Sequence, residues 1–135
     1  MTTEITNEAE LNNWVRDQFQ RANKYLAEQG ILFESTVMTD SRYLAPHVAV
    51  WKIKDTRGKQ HWVISGDVPA DAVDASVAND ARDALRHFSL RWQLKAENIA
   101  KTSAGDKFQI DYAKLLDEKA QVVYALHEKD DMWQS

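Results

Sequence analysis

Two Trp-bearing, β-branched runs on either side of Asp55-Thr56-Arg57-Gly58 constrain this chain more than any other feature. His47-Val48-Ala49-Val50-Trp51-Lys52-Ile53-Lys54 and Gln60-His61-Trp62-Val63-Ile64-Ser65 read as the arms of a β-hairpin. Asp at the first turn position and Gly at the fourth predict a type I turn closed by a glycine bulge. That turn fixes the register. Asp55 faces Lys59, Ile53 faces His61, Trp51 faces Val63 and Val50 faces Ile64. One face of the hairpin then carries Ala49, Trp51, Ile53, His61 and Val63, and the other carries Val48, Val50, Lys52, Trp62 and Ile64. Both faces are apolar, whereas a half-exposed antiparallel sheet alternates more cleanly. The second face is therefore expected to be covered, by a helix, a long loop or another subunit.

The flanking segments supply helices. Asn7 followed by Glu10 is a variant capping box, and Leu11, Trp14, Val15, Phe19, Ala22 and Leu26 recur at three- and four-residue steps. With Gly30 as the stop, the spacing predicts a helix over 8–29. Residues 31–39 read as a strand, Asp40–Ser41–Arg42 as a turn, and Pro46 delays the next strand. Ser65-Gly66-Asp67-Val68-Pro69 ends the hairpin, and Pro69 suits the first turn of a helix. A long helical stretch is predicted from there to about Lys101, with a break near Ser76. Ala78, Ala81, Leu85, Phe88, Trp92, Ala96 and Ile99 form its stripe, while Leu90 and Leu94 fall on the opposite side, near His87. A two-sided helix is central or lies at an oligomer contact. A loop over 102–107 leads to a last helix over 111–127. The predicted fold is α+β in the order α-β-β-β-α-α, a three-stranded antiparallel meander packed with helices. One domain is expected over 1–135, with 1–7 and 128–135 as frayed ends and Trp133 able to dock.

Composition narrows the chemistry. The net charge of −4 lowers the electrostatic attraction to phosphate that nucleic-acid binders rely on, and to anionic membranes. No nucleic-acid or membrane partner is expected. There is no cysteine, which removes disulfides, thiolate metal sites and cysteine nucleophiles. The first ten residues have no apolar core of a signal peptide, so a cytoplasmic location is expected. His47, His61, His87 and His127 show no helical i, i+4 pairing and no metal motif, and no metal or other cofactor is expected. Glycine-rich phosphate loops are absent. Ser65 and Ser89 lie near Asp67 and His87 in sequence, but neither serine sits in a nucleophile elbow. Arg82, Arg86, Arg91 and Lys95 share a helix without an interleaved aromatic ladder. The five tryptophans are read chiefly as core.

Three blocks have a distinctive look: Tyr43-Leu44-Ala45-Pro46-His47-Val48-Ala49-Val50-Trp51, Trp62-Val63-Ile64-Ser65-Gly66-Asp67-Val68-Pro69 and Ala84-Leu85-Arg86-His87-Phe88-Ser89. Through them the chain resembles a small bacterial family of unknown function. The resemblance implies a free-standing cytoplasmic bacterial protein, and it carries over no activity and no functional residue.

One constellation remains. Strand-to-helix junctions line pockets, and Arg42, Tyr43, His61, Asp67 and His87 are the polar groups that could converge at the hairpin's exit. Two functional classes follow. The first is a non-catalytic protein-interaction module that self-associates, most simply as a homodimer, and binds another protein. The second is a small-ligand binder or an enzyme of unrecognised type built around Asp67.

Overall fold

The computed structural model describes residues 7–102 and 105–133. The fold is α+β: an N-terminal helix, a five-stranded antiparallel sheet, then two helices. The chain divides into two compact units, one running up to Ala81 and one from Arg82 onward.

Helix α1 spans Glu8–Glu28. The Asn7 side chain accepts a 2.8 Å hydrogen bond from the Glu10 amide, and its Nδ2 donates to the Glu10 carboxylate at 3.2 Å. The reciprocal cap fixes the helix start. Strands β1 (Phe33–Thr36) and β2 (Arg42–Leu44) follow, then β3 (Val48–Asp55) and β4 (Gln60–Gly66). The hairpin register is the predicted one: Val50 faces Ile64, Trp51 faces Val63 and Ile53 faces His61. Gly58 closes the turn with φ +85°, in the left-handed region.

Both β1 and β2 pair with the same edge of β3. β1 covers Ile53 to Asp55 and β2 covers Val48 to Val50. The predicted single strand over 31–39 is thus shorter, and Arg42 belongs to a second short strand and not to a turn. With β4 on its other side, β3 is the centre of the sheet.

Beyond Gly66 the chain departs from expectation. No helix starts at Pro69. Residues Asp71–Asp74 form β5, paired antiparallel with β4 so that Ala72 faces Val63 and Val73 faces Trp62. A short 3-10 helix at Ala75–Val77 follows, and helix α2 begins only at Ala81. Alanine-rich composition favours a helix locally. The unpaired edge of β4 overrides it, because its backbone groups need partners. Asp74 then ends the strand by accepting from the Ser76 amide at 2.9 Å. The sheet has five strands where sequence periodicity shows three.

The two sheet faces are both dry. Ala22 and Leu26 of α1 cluster with Ala49, Trp51, Ile53 and Val63, flanked by Val15, Phe19 and Tyr43. The Trp51 ring meets Phe19 edge-on at 5.4 Å and Tyr43 at 5.1 Å. On the opposite face Val48, Val50, Trp62 and Ile64 are fully buried. The Trp62 indole N–H donates to the carbonyls of Ala75 and Ala78, both at 3.1 Å. The surplus apolar face of the hairpin is therefore buried within a single chain.

The unit from Arg82 onward is a helical pair, α2 (Ala81–Thr102) and α3 (Lys107–Glu128). Asp106 caps α3 by accepting from the Gln109 amide, so the helix begins at Lys107, four residues before the predicted start. The Ser89 hydroxyl of α2 donates to the Ala120 carbonyl of α3 at 2.8 Å. At the other end Arg82 and His127 clasp each other. Arg82 Nε donates to the His127 carbonyl at 2.8 Å, and His127 Nδ1 donates to the Arg82 carbonyl at 2.9 Å. Past α3, the Trp133 indole donates to the Leu126 carbonyl, and Arg82 pairs with Asp130. The end expected to fray is thus anchored as far as Trp133, while residues 1–6 and 134–135 lie outside the described residues.

Candidate functional site

Asp67 lines an open cleft of about 440 Å³, together with Trp14, Gln18, Arg21, Pro46, His47 and Gly66. The cleft forms where β4 ends against the start of β3. Gly66 has φ +132°, and a Cβ there would stand 2.4 Å from the His47 carbonyl oxygen and 2.6 Å from Val48 Cα. Only glycine lets the two backbones approach so closely. The Asp67 amide then donates to the His47 carbonyl at 2.8 Å, and Arg21 Nη1 donates to the Gly66 carbonyl at 3.1 Å. Gln18 is 6% exposed, and its Oε1 is buried without a hydrogen-bond partner. A buried unsatisfied amide oxygen is costly.

Of the other residues expected to converge with Asp67, Arg42, Tyr43 and His61 sit elsewhere in the first unit. Cross-strand registry places His61 at the turn end of β4 and Gly66 at its far end, about 16 Å apart along an extended strand. His61 is buried and its Nε2 lies 2.9 Å from Asp55 Oδ2. Asp55 Oδ1 accepts from the amides of Arg57 and Lys59, both at 2.9 Å. The His61 hydrogen bond, followed by those two amides, holds the Asp55 carboxyl below its usual range. The pair clamps the hairpin turn. Arg42 is exposed on β2, opposite Val50. Tyr43 points to the α1 side, against Trp51, and burial raises its phenol. His87 lies on α2, in the second unit. The strand-to-helix junction that motivated the grouping is a strand-to-strand connection.

A different surface stands out on α2. Leu90 and Leu94 are 42% and 62% exposed, on the side of the helix away from buried Leu85, Phe88 and Trp92. A shallow trough of about 720 Å³ runs beside them, past His87, Arg91 and Asn98. On α3, Phe108, Leu115 and Val122 are also exposed.

A family model matches residues 8–133 of the chain. The protein belongs to that family, described as Domain of unknown function (DUF4826). The match spans nearly the whole chain, in line with the resemblance read from residues 43–51, 62–69 and 84–89. No curated protein and no solved structure matches this DUF4826 chain significantly.

Two serines of the DUF4826 chain that were candidates for nucleophilic chemistry have structural bonds. Ser65 accepts from the Trp51 indole at 3.3 Å and donates to the Gln18 carbonyl at 3.3 Å. Ser89 bonds Ala120 and Gln93. Among the described residues, no group of three or more His, Asp or Glu side chains is placed to hold a metal ion. No helix among them is long and apolar enough to cross a membrane. Sequence reasoning placed Asp67 in a candidate group without Gln18, Arg21 and His47, which line the same cleft. A signal was present: Gln18 interrupts the apolar line at four-residue spacing from Trp14 and Ala22.

Proposed function

We propose that this DUF4826 protein is a non-catalytic interaction module that self-associates, acting in the cytoplasm. The observation that carries the reading is the exposed Leu90–Leu94 pair on α2. Large apolar side chains grouped on a face otherwise bounded by charge mark contact surfaces. The burial of both sheet faces also bears on the reading, because it leaves helical surface as the place for a partner. Two-fold association is the commonest arrangement for a single chain. Sedimentation equilibrium at micromolar concentration tests it. The expected result is a mass near twice 15.5 kDa, and a single 15.5 kDa species across the range overturns it.

A second reading has one observation in its favour. Arg21 and Asp67, of opposite charge, line the same cleft and suit a small ligand with both a cationic and an anionic group. Glycine titration followed by amide NMR tests that reading. Saturable shifts confined to residues 14–21, 46–47 and 66–67 support it, and unchanged spectra at millimolar glycine reject it.

A further inference from the structure

We infer that the contact between copies is an antiparallel pairing of α2 with α2 of a second copy, centred at the level of Trp92. This rests on the self-association proposed above and specifies its geometry. Asp83, His87, Leu90, Leu94, Glu97 and Lys101 recur at alternating four- and three-residue steps. At 3.6 residues per turn they fall within an arc of about 80°, opposite the buried residues Leu85, Phe88, Trp92 and Ala96. A strict heptad spacing of this kind is the seam of a two-helix contact.

The order of residue types along the seam reads acid, histidine, Leu, Leu, acid, base. In an antiparallel pair, each residue meets the one equally far from Trp92 on the other side. Leu90 then meets Leu94 twice, once on each side of the axis. His87 meets Glu97, and Asp83 meets Lys101. In a parallel pair the same residues would stack on themselves, with Asp83 on Asp83, Glu97 on Glu97 and Lys101 on Lys101. Like charges so placed disfavour the pairing. Charge therefore selects a second copy of this chain in one orientation.

Lys101 bridges Glu97 at 3.0 Å with both side chains exposed. Asp83, 30% exposed, bridges Arg86 at 3.1 Å and has a further polar partner. Exposed pairs contribute little, so exchanging the Lys101–Glu97 contact for a partner on the second copy costs little.

Sedimentation equilibrium of Leu94→Glu, Asp83→Lys, Lys101→Asp and the double variant Asp83→Lys/Lys101→Asp tests the geometry, with helicity checked by circular dichroism. Leu94→Glu is expected to abolish the dimer. Each single charge reversal is expected to weaken association about tenfold, and the double variant to recover to within about threefold. Because the chain has no cysteine, cross-linking gives a fold-tolerant second readout. A mixture of Asp83→Cys and Lys101→Cys chains should form a disulfide between the two variants, while Asp83→Cys alone, with its thiols about 27 Å apart, should not. A dimer that Leu94→Glu leaves intact overturns the α2 contact and points to Phe108, Leu115 and Val122. A dimer lost with Leu94→Glu in which Asp83→Cys links to itself overturns the antiparallel orientation alone. If the unmodified chain is monomeric throughout, the underlying self-association fails.

Discussion

The stretch up to Ala81 and the stretch from Arg82 onward treat surplus apolar surface differently. In the first, a hairpin with hydrophobic side chains on both faces ends with Val48, Ala49, Val50, Ile53, Trp62, Val63 and Ile64 all at zero exposure. In the second, α2 buries Leu85, Phe88 and Trp92 but leaves Leu90 and Leu94 open. Sheets and helices differ here for a geometric reason. A strand's two faces are both filled when layers lie above and below it. A helix presents its residues around a cylinder, and a second apolar stripe stays open unless another helix lies on that side. Identical sequence signals, apolar residues on two sides, thus mean core in one region and exposed surface in the other.

Perturbing each region tests that contrast. The largest effect is expected from Trp51→Ala, which empties the centre of the α1–sheet cluster and should cost about 3–5 kcal/mol in urea denaturation. Gly66→Ala follows, at about 3 kcal/mol, since its Cβ has no room beside the His47 carbonyl. A neutral result there would show that the β3–β4 closure is looser than described. Gly58→Val should cost about 1 kcal/mol or more, from its left-handed φ alone, as nothing crowds its Cβ.

Acid probes the turns of the same unit. The Ser76 amide, ahead of the Ser76 hydroxyl and Lys59, holds the Asp74 carboxyl at about 2, below its usual 3.8. A depressed carboxyl stabilises the fold above its unfolded value and loses that contribution as pH falls through the folded value. Melting temperature should therefore drop between pH 4 and pH 2, and Asp74→Ala should lower it at pH 7 while flattening that drop. An unchanged slope in the variant would assign the acid sensitivity elsewhere, with Asp55 next in line. The smallest effect is expected at the open face. Leu94→Gln should change the stability of the monomer by less than about 0.5 kcal/mol, and a loss of several kcal/mol would mean that Leu94 is core after all.

Much of this architecture can be read from residue order. The turn Asp55-Thr56-Arg57-Gly58 specifies the register to the residue, because Asp and Gly at those two positions leave one low-strain closure. The Asn7–Glu10 cap and the Leu11–Leu26 stripe define α1 for similarly local reasons. What stays hidden is decided by distant partners. Asp71–Asp74 becomes a strand because β4 has a free edge, and nothing in Asp-Ala-Val-Asp announces that. The polar grouping expected around Asp67 fails for the same reason. It assumes a helix at Pro69, and without one His61 and Asp67 stand at opposite ends of one strand. The cleft that does form draws Gln18 and Arg21 from α1, far away in sequence.

The split edge of the sheet has a further consequence. β1 and β2 divide one side of β3 between them, with four and three residues, and β5 offers four on the far side. No outer strand is long enough to template a foreign one, and Glu34 and Lys54 place charges along the β1 margin. Short, charged margins of this kind oppose strand-by-strand stacking into fibrils. Concentrated solutions of this protein should consequently stay free of cross-β aggregates, even though the β-branched runs of β3 and β4 are of the type that builds them.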